Sequence, residues 1–281
     1  MPQKDARPSA RGKIDLATLF GLLVALGGIV GGLLLEGGKL SDISQLTAAM
    51  IVLGGTIGAV MVTTPLSTLK AAVHKLPSVL WQPNLSVDQT MADILSFAAR
   101  ARRSGVVSLE SDAEEISDPF FRKALLLAVD GTDLKVVRRV MELELEAAEQ
   151  RGEATAKVFE SAGGYAPTIG IIGAVLGLIQ VMKHLEDIEA VGHGIAVAFV
   201  ATVYGVSVSN LLFLPFANKL KARLQQSLRA NELTLEGVIA IVEGLNPKLI
   251  ESKLEPFKNA PSESGKTSGP KSRVASPRVA A

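Results

Sequence analysis

This sequence predicts an all-α integral membrane protein with four transmembrane helices in two hairpins and a helical cytoplasmic domain between spans two and three. Three observations predict it. Apolar residues make up 48% of the chain and its mean hydropathy is positive. Residues 14–35, 46–66, 162–182 and 195–216 form four apolar runs, each near the roughly 20 residues that carry a helix across a bilayer. Lysine and arginine also crowd one side of those runs, which orients them.

Taken in order, residues 1–13 carry Lys4, Arg7, Arg11 and Lys13 ahead of the first apolar run. That run is too long for the apolar core of a signal peptide, and no small-x-small cleavage site follows it, so it reads as a retained anchor. Asp15 at its mouth reads as a helix N-cap. The connections 36–45 and 183–194 are short and pair the spans into two hairpins. They carry Lys39 and Lys183 beside Glu36, Asp42, Glu186, Asp187 and Glu189, whereas Lys70, Lys75, Arg151, Lys157, Lys219, Lys221, Arg223 and Arg229 lie on the other side. The bias places both termini and the insert 69–161 in the cytoplasm. Glycines at four-residue spacing (Gly27/Gly31, Gly28/Gly32, Gly54/Gly58, Gly173/Gly177) predict close helix packing.

Within the insert, Ser86 with Gln89 reads as a capping box opening a helix through Arg103, stopped by Gly105. Asp118 before Pro119 starts a second helix that ends near Gly131. Asp133 opens a third, whose apolar positions Val136, Val137, Val140, Met141 and Leu143 recur at helical spacing and which runs on into span three. Past span four, 217–257 reads as cytoplasmic helices, the first amphipathic through Glu243 and ended by Gly244 and Asn246-Pro247. Serine, glycine, proline and lysine dominate 258–281, which reads as a disordered tail.

The chemistry expected is sparse. There are no cysteines, and His74, His184 and His193 are scattered without metal-ligand spacing. A net charge of +1 gives no polybasic case for nucleic acid. No His-Glu-x-x-His helix or intramembrane nucleophile is present, so neither an enzyme, a cofactor nor a metal is expected. An ion path ordinarily shows an acid within the membrane, yet the runs of spans two to four contain none. If the chain conducts protons, a partner supplies the carboxylate. What these spans offer is uncharged: Tyr165, Pro167 and Thr168 at the start of span three, and Thr202, Tyr204, Ser207, Ser209 and Asn210 along span four. Their hydroxyls either face a pore or bond between helices. Pro167 and Pro215 each stand near the cytoplasmic end of a span, where a missing backbone bond makes a kink or hinge.

Three stretches carry a family resemblance. The run Ala-Pro-Thr-Ile-Gly-Ile-Ile-Gly-Ala-Val-Leu-Gly-Leu from Ala166, the run Ala-Val-Ala-Phe-Val-Ala-Thr-Val-Tyr-Gly-Val-Ser-Val-Ser-Asn from Ala196, and Arg-Ala-Arg-Arg-Ser-Gly-Val-Val-Ser-Leu-Glu from Arg100 closely resemble the MotA/PomA flagellar stator family. Span order and the place of the insert agree over 14–243. The resemblance implies a membrane-embedded ring of subunits, five in number, around the helices of a two-copy MotB-type partner. That partner has a single span, carries the ion-binding aspartate and anchors to peptidoglycan. It further implies rotor-facing charges, pressing on FliG, at Arg102 and Glu110, and hinge prolines at Pro167 and Pro215. Sodium-type members resemble this chain at Thr202 but have a second threonine where Ala174 stands, so the resemblance implies an ion path along Thr202, Ala174 and Tyr204 that carries protons rather than sodium. The ExbB/TolQ energisers of envelope transport are similar in the last two spans, but have three spans and an outside N-terminus.

Overall fold

The computed structural model describes residues 13–82 and 87–259. The Ser86 cap, residues 1–12 and the tail from 260 onward lie outside the described residues. Span one is α1 (Leu16–Leu35). The connection after it holds a single helical turn, α2 (Leu40–Ile43), closed on itself by Asp42, which accepts from the Lys39 amide at 2.8 Å. Span two, α3, runs over 46–63 with a π-helical turn at Met50–Gly54, and stops three residues short of the expected boundary. The physical cause is Pro65, which cannot donate to a continuing ladder and instead precedes α4 (Leu66–Lys75). A short α5 (Pro77–Leu80) leads to a two-residue strand β2 (Trp81–Gln82), antiparallel to β1 (Lys13–Ile14).

The insert then folds as α6 (Val87–Ser104), a 3-10 turn at Val106–Leu109, α7 (Glu110–Glu115) and α8 (Pro119–Val129). Asp118 caps α8 as expected, accepting from the amides of Phe120 and Phe121 at 2.8 and 3.2 Å. Asp133 does the same at the start of α9 (Leu134–Lys183), accepting from the Lys135 amide at 2.8 Å. At 1.5 Å per residue the 50 residues of α9 extend about 75 Å. That is more than twice a hydrocarbon core, so a single helix serves both the insert and span three.

Two expected boundaries change in the second hairpin. The connection 183–194 shrinks to residues 184–187, because Asp187 caps the next helix by accepting from the amides of Glu189 and Ala190 at 3.0 and 3.2 Å. Span four and the amphipathic helix after it are one element, α10, over Ile188–Val242, with a π-helical turn at Ser209–Phe213 just ahead of Pro215. A π-turn shifts the ladder by one residue, and a proline has no amide to offer, so the helix passes the proline without breaking. Gly244 (φ +69°) ends it, and α11 (Pro247–Asn259) folds back.

One core sits in the insert. Ile94, Leu109, Leu125, Met141, Leu233, Ile241, Ile250 and Leu254 are fully buried there, joining α6 and α8 to the far ends of α9 and α10. Each such burial is worth about 1.5–3 kcal/mol. On the α9–α10 face of this domain, Glu236 lies between Arg138 (2.6 Å) and Lys253 (2.9 Å). Burial pushes its carboxyl up, and the two cations more than offset that, leaving it below its ordinary value. A second core, with Val60, Ala72, Val79, Phe159, Ala162, Ala217 and Leu220, lies where the spans meet the insert. By contrast, no residue of α1 is buried. Its glycines, and Gly54 and Gly58, have nothing within 4 Å of an added Cβ; of the four expected pairs, only Gly173/Gly177 lies at a helix contact within the chain.

Candidate functional site

The α9–α10 hairpin is held by backbone against backbone. A Cβ on Gly170 would stand 2.9 Å from the Ala201 carbonyl, one on Gly177 2.8 Å from the Ala198 amide and the Gly194 carbonyl, and one on Gly205 2.5 Å from the Ala166 carbonyl. Small residues permit this approach, and dispersion at that distance holds a helix pair where lipid gives no hydrophobic drive. The same register brings Ala174 and Thr202 to one level: Gly173 faces Ala201, and the Cα of Thr202 is 3.5 Å from the methyl position of Gly170. Both Ala174 and Thr202 are half-buried. The Thr202 hydroxyl donates to the Ala198 carbonyl one turn back at 3.2 Å, so at this level the pair presents one hydroxyl and one methyl.

Tyr204 is used differently. Its hydroxyl donates to the Ile43 carbonyl at 2.5 Å and accepts from the Gln45 amide at 3.3 Å, which ties α10 to the start of span two. Val200 and Ala201 pack against Ala48 and Val52 beside it. Because α10 begins earlier than the apolar run, it includes Glu189 and His193, both exposed. Glu189 is three turns along α10 from the Val200 contact. Among the described residues, α1, α3, the 162–182 stretch of α9 and the remainder of span four carry no Asp or Glu.

Pro167 lies inside α9 without interrupting it. Having no amide, it leaves the carbonyl four residues back, that of Gly163, without its helical donor. That carbonyl instead accepts from the Ser209 hydroxyl of α10 at 2.6 Å, in a buried contact. Ser209 is the first residue of the π-turn, and its own carbonyl accepts from the Leu214 amide, next to Pro215. A Cβ at 163 would lie 2.6 Å from Leu214 Cδ2, so any larger residue there displaces the Leu214 side chain beside this contact. The structure therefore brings Pro167 and the π-turn ahead of Pro215 into one contact. Sequence reading noted Ser209 as polar but could not pair it with a carbonyl 46 residues away.

Arg102 and Glu110 are both exposed and flank one corner of the insert, on the last turn of α6 and the first residue of α7. Gly105 turns the chain between them at φ +81°, a conformation open to glycine at little cost. An Arg100–Asp112 ion pair braces the corner.

A further cluster gathers on Asp15, whose capping position in the sequence gives no sign of its partners in α10. Asp15 accepts from the Thr18 amide at 3.2 Å, but also pairs with Lys219 (2.5 Å) and Arg223 (3.1 Å) of α10. Arg223, itself about one-tenth exposed, donates to the Trp81 and Val79 carbonyls at 2.6 and 3.0 Å as well. One guanidinium thus joins the segment ahead of α1, the α5–β2 segment and the helix beyond span four. The Lys219 hydrogen bond does most to hold the Asp15 carboxyl down, at about 2, against the upward push of burial. A lowered pKa means the stabilisation is complete above the ordinary carboxylate value and is lost as pH falls through about 2. Arg223→Ala is expected to cost about 3 kcal/mol, because it strips a buried carboxylate and two carbonyls of a donor together. Lys221→Ala, at a half-exposed pair with Glu160, should cost under about 1 kcal/mol. Thermal unfolding of the two variants in detergent checks the difference.

Comparison with known proteins agrees with this architecture. Residues 112–232 match the model of the MotA/TolQ/ExbB proton channel family, and residues 19–104 match that of the motility protein A N-terminal region. Motility protein A of Bacillus subtilis is 38% identical over 243 residues, covering 86% of this chain and 90% of that protein. The solved structure of C. jejuni MotAB superposes with a TM-score of 0.84 at 33% identity, covering 89% of this chain and 99% of the matched one. The flagellar MotAB stator complex from Bacillus subtilis superposes at 0.80 and 36% identity, covering 86% and 95%. With four apolar helices long enough to cross a membrane, a glycine-packed second hairpin and both family regions in order, this chain belongs to the MotA family of flagellar stator proteins.

Proposed function

We propose that this chain is the channel-forming and force-transmitting subunit of a proton-driven flagellar stator, set in the inner membrane with both termini and the insert in the cytoplasm. It assembles as a ring around a single-span, peptidoglycan-anchored partner of the MotB type, and that partner supplies the carboxylate these spans lack. The observation that supports this reading best is the continuity of α9 and α10. Both pass from the apolar hairpin into the core of the insert, so a change of tilt at the hairpin displaces the insert as a lever. The assembled MotAB complexes to which the chain is similar support the partner.

In this scheme Thr202 holds water or the protonated carboxyl of the partner. Sodium must shed water and be coordinated by several oxygens, and Ala174 brings none, which favours protons. Tyr204 keeps span two in register with span four. Pro167 and Pro215 are the hinges, and Arg102 and Glu110 press on the rotor protein FliG.

The test is swimming of a deletion strain complemented with this chain and its partner. Swimming is expected to persist in sodium-free medium and to stop with a protonophore. The Arg102→Glu, Glu110→Lys double variant should reach normal membrane levels and lose most of its motility. Swimming that needs sodium and ignores the protonophore would overturn the ion assignment, and normal motility of the double reversal would overturn the rotor contact.

A further inference from the structure

The contact between Ser209 and Gly163 has a consequence for how the two prolines move. A proline within a helix creates flexibility because one carbonyl loses its donor and can turn outward. In a membrane that carbonyl has no water to turn to, so leaving it bare costs the full desolvation of the group. Here the freed Gly163 carbonyl is taken by a side chain of the neighbouring helix at 2.6 Å. Ser209 is only 1% exposed. The donor residue is also where the neighbour's own ladder changes from α to π, five residues before the α-helix that carries Pro215 resumes at Leu214.

We infer that Ser209 is a positioning residue that clasps the Pro167 gap of span three to the π-turn before Pro215 of span four, so that the two prolines act as one hinge. The proposal rests on the hinge reading given above and deepens it. When α9 bends at Pro167, the Gly163 carbonyl moves and carries Ser209 with it, and the π-turn shifts its register in step. Without the hydroxyl, each helix bends alone and the tilt reaching the insert is no longer shared by its two long helices.

A double-variant cycle on the full chain, purified with its partner, tests this. Ser209→Ala should lower the thermal midpoint by about 2–4 °C, the shift that losing one buried hydrogen bond gives in a protein of this size. Pro167→Ala restores an amide to the Gly163 carbonyl, so Ser209→Ala in that background should shift the midpoint by less than half as much. Swimming should follow the same pattern: Ser209→Ala slows cells, while the double variant swims no worse than Pro167→Ala alone. Equal shifts in both backgrounds would overturn the clasp, since Ser209 would then be acting by packing alone. Should Pro167→Ala fail to assemble, hydrogen exchange on Ser209→Ala decides. Faster exchange in the span-three peptide around Gly163 supports the clasp, and a change confined to span four overturns it. Midpoint and exchange do not depend on motor activity, so a failure of the clasp is distinguishable from a failure of the stator reading.

Discussion

Replacing Gly205 with valine is expected to remove this protein from the membrane fraction. The added Cβ alone would stand 2.5 Å from the Ala166 carbonyl and 3.1 Å from the Gly170 Cα. Both obstacles are backbone atoms of a 50-residue helix, so no rotamer change relieves the clash. The helices must part, and parting them also undoes the backbone contacts at Gly170 and Gly177, at 2.9 and 2.8 Å from an added Cβ. Overpacking a core costs about 1–3 kcal/mol where side chains can give; here the cost lies at or above the top of that range. Membrane levels and thermal midpoint should both fall sharply. Gly28→Ala is the matched control, because nothing within the chain lies within 4 Å of its new methyl and alanine is the better helix former by about 1 kcal/mol. Equal tolerance of the two substitutions would mean that the hairpin is not held by this contact.

The same comparison shows what the sequence could and could not reveal. Gly27/Gly31 and Gly173/Gly177 look alike as spacings, yet only the second pair meets a neighbouring helix in the chain. A spacing says that one face is small and cannot say what stands opposite. The spans were legible because long apolar runs admit no other reading, and the caps at Asp118 and Asp133 were legible because capping is local chemistry within three residues. Boundaries failed where hydropathy and backbone part company. Glu189, Gly192 and His193 interrupt the apolar run but not the helix, and Pro215 looks like an end but is absorbed by the π-turn at Ser209–Phe213. Arg102 and Glu110 were named through the family resemblance, and only the turn at Gly105 (φ +81°) shows that they flank one corner. The partners of Ser209 and Arg223 could not be placed at all. Their bonds cross 46 and 208 positions of the sequence, and only the packing of α9 against α10 and of α10 against the start of α1 creates them.

A hairpin with Thr202, Ala174 and the clasped prolines, and no Asp or Glu in the 162–182 stretch of α9 beside it, has no acid to carry a proton between its two ends. Threonine does not ionise in this range, and a chain of hydroxyls without an acid gives protons nowhere to rest in a medium where a bare charge is expensive. The most direct measurement is proton flux into liposomes under an imposed potential, with the purified chain alone and with the chain co-purified with a MotB-type partner. The proposed stator function predicts flux at the level of empty liposomes for the chain alone, flux well above it for the complex, and a return to background when the membrane aspartate proposed for the partner is changed to asparagine. Sustained proton flux through the chain alone would contradict it.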